Sequence, residues 1–242
     1  MFKKLSLELG GKNATIVLKD AELDKAVDGA VRAAFTNSGQ VCLCGSRIFI
    51  DASLAEQFTQ RFVEKVNEIQ VGDPLDEHTA MGSVISPEHL LKIESYIELA
   101  IEEGGLVLTG GTREMTEYNG PQGIGAFLRP TVVTNLPHTS RCATEEIFGP
   151  MVTLHSFTTE DEALEMVNAS EYGLAGSVWT TDLERGRAFS AKMDTGMVWV
   201  NTWLHRDLRT PFGGVKNSGV GREGGQWSLD FFSEMTNVCI KT

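Results

Sequence analysis

Cysteine is scarce in this chain: four residues (Cys42, Cys44, Cys142 and Cys239) among 242. That is too few for a disulfide scaffold at this length. Cys42 and Cys44 stand two apart, with no histidine or second cysteine pair close in sequence, so a structural zinc site lacks its ligand spacing. Positive charge is also in short supply. Lysine and arginine number 21 against 33 aspartates and glutamates, a formal net charge of −12. A nucleic-acid partner needs surplus cations to neutralise phosphates and is excluded; an anionic membrane surface is disfavoured. No run reaches the roughly eighteen apolar residues of a membrane span. The opening MFKKLSLELGGK lacks the apolar core of a signal peptide. Two glycosylation-pattern matches, at Asn13 and Asn168, therefore read as accidental, and the cytoplasm is the expected location. Internal repeats and low-complexity tracts are missing too.

What is present is ordinary globular material. Hydrophobic residues make up 41% and charged residues 22%, enough to bury one large core or two modest ones. Leu23, Ala26, Val27, Ala30, Val31, Ala34 and Phe35 recur at steps of three and four, which predicts an amphipathic helix. Ser53 with Glu56, Thr159 with Glu162 and Thr181 with Glu184 match the capping-box pattern at three more helix starts. Ser86-Pro87 opens another helix that Gly104-Gly105 closes. Strands are expected at Arg47–Asp51, Leu106–Thr109, Thr131–Val133, Met151–Phe157, Ser177–Thr180 and Met197–Val200. The segment from Thr112 to Ala126 reads as a long surface loop. Helices and strands in alternation predict an α/β fold, a three-layer, mainly parallel sheet with helices on both faces.

Four blocks carry the chemistry. Lys4–Lys12 reads KLSLELGGK, a short strand that delivers one carboxylate, Glu8, into a Gly10-Gly11 turn. Asn37–Arg47 reads NSGQVCLCGSR and sets Cys42 in a polar, turn-prone segment. Glu145–Pro150 reads EEIFGP, and Pro211–Gly225 reads PFGGVKNSGVGREGG. In this order and at these separations the blocks resemble the NAD(P)-dependent aldehyde dehydrogenases. The resemblance covers the whole chain but only about half of the family's pattern, its C-terminal catalytic half. It implies that residues 1–10 are the last strand of a cofactor-binding domain, 11–228 the catalytic domain, and 229–242 an oligomerisation strand, with a homo-oligomer as the assembly.

Oxidation of an aldehyde to an acid needs a nucleophile to add before hydride can leave, and a thiolate both attacks and departs well. Cys42 matches the family's nucleophile position. On bare sequence Cys44 is a rival, and a buried inert cysteine is the commoner fate of either; the family spacing selects Cys42. The resulting thioester needs a general base to activate water, and Glu8 matches that position. The resemblance further implies contacts of Glu146, Phe148 and Gly10 with NAD, although the full cofactor site is not expected in this chain. Gly219, Gly221 and Gly224 satisfy G-x-G-x-x-G but lack the preceding strand and the later acidic residue, so the match is rejected as a dinucleotide site.

Trp199–Phe212 reads WVNTWLHRDLRTPF. Its two arginines, Arg206 and Arg209, make the block most like the muconic semialdehyde dehydrogenases. Either guanidinium could fork onto a distal carboxylate of the aldehyde substrate. Pairing with Asp207 on the surface is the competing reading, stronger for Arg209. Two rival functions remain open on sequence: a cofactor-independent thiol esterase, and a non-enzymatic fragment acting in subunit association.

Overall fold

Strands and helices alternate along the described residues, 2–115 and 125–242, of the computed structural model. The first half contains β1 (Leu7–Glu8), β2 (Ala14–Val17), α1 (Leu23–Phe35), β3 (Arg47–Asp51), α2 (Ala55–Asn67), α3 (Pro87–Glu102) and β4 (Leu106–Thr109). Then come β5 (Thr131–Thr134), α4 (Arg141–Thr144), β6 (Met151–Phe157), α5 (Glu160–Asn168), β7 (Tyr172–Gly173) and β8 (Ala175–Trp179). The chain continues through α6 (Leu183–Ser190), β9 (Met197–Val200), β10 (Val215–Lys216), β11 (Gly219–Val220) and α7 (Gly225–Phe232).

Seven strands form one sheet in the order β4-β5-β6-β3-β2-β8-β9, parallel throughout except for β4 against β5. The side-chain alternation of a strand builds a core on each face. Ile48 and Ile50 of β3 pack with Val27, Ala30, Phe58 and Phe62 of α1 and α2, whereas Phe49 between them packs with Ala163, Val167 and Phe189 on the α5 and α6 side. Phe58 and Phe62 are fully buried and stacked, with centroids 5.5 Å apart. Each contributes about 1.5–3 kcal/mol through burial. A third cluster places Leu90, Ile93 and Ile97 of α3 against Val133 and Met151. The α/β architecture with helices on both faces is the one the sequence pattern implies.

Local starts differ in places. Ser86 caps α3 by accepting the His89 N–H, and Thr159 caps α5 by accepting the Glu162 N–H. Ser53 caps nothing: its hydroxyl donates to Asp51, and α2 begins at Ala55 without a side-chain cap. At α6 the cap is Asp182, which accepts the Glu184 and Arg185 N–H groups, while Thr181 is held by Asp20. A carboxylate one residue nearer the helix wins because a charged acceptor binds the free N–H groups more strongly. The central strand β2 was not among the strands expected from sequence. Most of the Thr112–Ala126 stretch lies outside the described residues. Residues 233–242 form no strand and are exposed.

Candidate active site

Asn37 and Ser38, at φ 53° and 56°, turn the chain out of α1 into the Cys42 loop. This strained turn is held by its surroundings. Ser38 Oγ donates to the Gly82 carbonyl at 3.0 Å, and Gln40 Oε1 accepts the Ile85 N–H at 2.9 Å. Gly39, at φ +69°, lies so close to Gly149 that a Cβ would collide with the Gly149 carbonyl. The loop carrying Cys42 is therefore seated directly on the loop carrying Phe148.

Cys42 is half-buried, and Cys44 is buried against Thr36. Burial raises the Cys42 pKa, and the charges of Glu8 and Glu146 raise it further; its own backbone N–H and Arg206 pull it down. Burial pushes Cys44 up to about 12, which leaves it an inert thiol at neutral pH. The charges of Glu8, Glu146 and Arg206 thus all act on one sulfur, although they come from well-separated parts of the chain.

Glu8 reaches the site on β1, which pairs antiparallel with β11. The residue as a whole is exposed, but its carboxylate lies against the Gly213–Gly214 backbone, 3.1 Å from where a Gly213 Cβ would sit. That local desolvation, then Glu223, raises its pKa, against a Gly214 backbone hydrogen bond and Arg222. Gly219 of the rejected G-x-G-x-x-G match is the residue paired with Glu8 in this ribbon.

Glu146 Oε1 accepts the Gly11 N–H at 2.9 Å, and a Cβ on Gly10 would collide with the same carboxylate. Helix α3 grips this loop from one face. Tyr96 Oη donates to Glu145 at 2.6 Å, Lys92 Nζ donates to the Glu146 carbonyl at 3.2 Å, and His89 Nε2 lies 2.6 Å from the Phe148 carbonyl. Phe148, at φ +62°, is 38% exposed as a residue.

Arg206 lines a cavity of about 550 Å³ with Trp199, His205 and Phe212, and its guanidinium stacks 4.5 Å from the Phe212 ring centroid. Arg209 is placed differently. Its Nε and Nη2 fork onto Asp207, and its side chain is 87% exposed. Cys42 lines a narrower cleft of about 20 Å³ together with Gly11, Gly39, Glu146 and Phe148.

Against known proteins, residues 1–238 match the aldehyde dehydrogenase family. The chain belongs to that family. It is 44% identical to the 2-aminomuconic 6-semialdehyde dehydrogenase of a Pseudomonas species, over 99% of this chain and 48% of that protein. It is 42% identical to the 2-hydroxymuconic semialdehyde dehydrogenase of Pseudomonas putida, over 99% and 49%. The betaine aldehyde dehydrogenase of Staphylococcus aureus in complex with NAD+ superposes with a TM-score of 0.88 at 38% identity, over 98% of this chain and 48% of that one. The chain spans about half the length of the curated relatives it matches.

Several residues of this aldehyde dehydrogenase chain that touch the site escape sequence reasoning. Asn13, 4% exposed, donates from Nδ2 to the carbonyls of Cys42 (2.7 Å) and Cys44 (2.9 Å). Trp203 Nε1 donates to the Leu43 carbonyl at 2.9 Å. A polar residue before an apolar run and a tryptophan beside a turn carry no signal of such contacts. Asn13 was noted only as a glycosylation match, which its burial rules out. Among the described residues no group of acidic, histidine and cysteine side chains could hold a metal, and no helix is long and apolar enough to cross a membrane.

Proposed function

We propose that this chain supplies the covalent chemistry for oxidising an aldehyde that bears a distal carboxylate, of the semialdehyde class in its muconic relatives' names. The observation that carries the reading is Cys42 itself: a half-buried thiol whose acidity responds to Glu8, Glu146 and Arg206 together. Arg206 would hold the carboxylate end of the substrate in the cavity it lines, and Arg209, committed to Asp207, would act at most on approach. The Cys42 thiol loses its proton to solvent water and the thiolate sulfur adds to the aldehyde carbon, whose C=O π electrons move to oxygen, giving the thiohemiacetal oxyanion beside the Cys42 N–H.

The residues present fit the nicotinamide-ribose end of NAD. Glu146 keeps its Oε2 without a hydrogen-bond donor among the described residues, Gly10 without a side chain lets that carboxylate lie against its backbone, and Phe148 is partly exposed. When bound, NAD supplies the acceptor for the hydride whose loss turns the thiohemiacetal into a thioester. Glu8, with its raised pKa, takes a proton from water; the hydroxide attacks the thioester carbon, releasing the carboxylic acid and the Cys42 thiolate.

Cys42 and Glu8 both lie in this chain, which favours a second reading, turnover of activated esters without NAD. Appearance of NADH from an aldehyde separates the two. For the shared acyl step, Glu8→Gln is mixed with an activated ester and followed by intact mass. The acyl adduct should form and persist. Turnover at the wild-type rate would remove Glu8 from the mechanism.

A further inference from the structure

Every carbonyl from Val41 to Cys44 is committed to a donor. The Val41 carbonyl accepts the Cys44 N–H at 2.9 Å, closing a turn. The Cys42 and Cys44 carbonyls share Asn13 Nδ2, and the Leu43 carbonyl is held by Trp203 Nε1. Asn13 and Trp203 are each 4% exposed, and Leu43 between their targets is 3% exposed. Both Asn13 N–H donors are used in this way, and its Oδ1 accepts the Ala175 N–H at the start of β8, at 3.0 Å. Gly11 makes room for the arrangement: a Cβ there would lie 3.0 Å from the Cys42 carbonyl oxygen and 3.1 Å from Asn13 Oδ1. By contrast, the N–H groups of Val41, Cys42 and Leu43 have no backbone acceptor among the described residues.

We propose that Asn13 and Trp203 form a clamp on the carbonyls of Cys42, Leu43 and Cys44 that positions the Cys42 thiol for attack. The inference rests on the reading of Cys42 as nucleophile. Two consequences follow from the geometry. With the Val41 carbonyl held by the Cys44 N–H and the Cys42 carbonyl by Asn13, both peptide planes flanking Cys42 are fixed, and with them its Cα–Cβ direction; reacting atoms must be placed closely for attack to be fast. Committing the carbonyl oxygens to buried donors also keeps their partial negative charge off the sulfur, which has the Cys42 N–H as its backbone donor. Trp203 adds a link to the substrate side, because it stands three residues before Arg206 in the same loop after β9. Neither residue touches a reacting atom; both act through the Cys42 backbone.

The test is the pH–rate profile of Cys42 alkylation by iodoacetamide on the 242-residue chain, read by peptide mapping, with Cys44 and Cys142 as internal reporters of opening. In Asn13→Ala the Cys42 rate at pH 7.5 should fall about tenfold as the profile moves to higher pH, the change expected for a tenfold smaller thiolate fraction. Trp203→Phe keeps an aromatic ring in the packed site while removing the N–H donor together with the pyrrole ring's volume, and should give a smaller fall of the same kind. Cys44 and Cys142 should stay unlabelled in both. If Asn13→Ala opens the fold, labelling of Cys142 reveals it, and Trp203→Phe alone decides. A wild-type Cys42 profile in Trp203→Phe, whatever the effect of Asn13→Ala, overturns the clamp. Preferential labelling of Cys44 in the unmodified chain is a different result, which defeats the nucleophile assignment itself.

Discussion

His155 offers a direct test of the core's electrostatics. It lies on β6, 7% exposed, stacked on Phe49 at 5.3 Å between centroids, with Nε2 2.9 Å from Thr153 Oγ1. Burial, then the buried Arg47 and then His138, lowers its pKa from 6.5 to about 4. The folded protein therefore keeps His155 neutral down to about pH 4, while the unfolded chain takes up the proton near 6.5. Between those values the unfolded state binds more protons, so stability is full above about 6.5 and is lost as pH falls to about 4. At 1.36 kcal/mol per tenfold change, the loss is about 3 kcal/mol, a large part of a typical domain's stability. Asp20 does not blur the window: hydrogen bonds from Thr180, Thr181 and the Asp182 N–H outweigh its burial and hold it at about 2, so it weakens the fold only at lower pH. Urea unfolding of the wild type and His155→Gln at a series of pH values from 8 to 4 measures the effect. The variant should lose much less stability than the wild type across that range. Parallel curves would show that the cost of charging His155 has been misjudged.

Two further outcomes concern the site. A limiting dose of iodoacetamide should label Cys42 and spare Cys44, and Cys42→Ala should abolish ester acylation while Cys44→Ala largely keeps it. In a full-length protein, Arg206→Ala should raise KM for a carboxylate-bearing semialdehyde by about 10- to 100-fold, the loss of a charged contact of roughly 1.5–3 kcal/mol. A neutral aldehyde of similar length should be little affected, and Arg209→Ala should change either substrate less than Arg206→Ala does. Equal losses on both aldehydes would make Arg206 structural.

The alternation of helices and strands was legible because amphipathic periodicity survives in α1 and α2, whose apolar faces meet one side of the sheet. The strand β2 was not legible for the opposite reason. A central parallel strand is buried on both faces, so Ala14–Val17 shows no alternation and merges with the preceding glycine turn. Ser53 matched a capping pattern that the backbone does not use, because Asp51 competes for its hydroxyl. The Cys42 and Glu8 blocks stood out because their residue types and turn chemistry are local. The grip of α3 on the Glu145–Phe148 loop and the bonds from Asn13 and Trp203 join segments distant in sequence, and a single chain carries no mark of such pairs.

With Cys42 and Glu8 in the roles proposed above, the two-residue pairing of β1 with β11 would separate the two chemical steps in time as well as in space. Cys42 stands on a loop tied into the core, whereas Glu8 is carried by a ribbon that joins residues near the two ends of the chain and is exposed at Leu7, Glu8 and Val220. A ribbon of two strands is marginal by itself, and such segments open locally far more often than the sheet beneath them. The sulfur is therefore in place at nearly every instant, while the carboxylate is in place only while the ribbon is closed. On the proposed mechanism, release of the acyl group, unlike its capture, would be gated by that fluctuation, and amide exchange at Leu9, whose N–H bonds the Ser218 carbonyl at 3.0 Å, would report the opening.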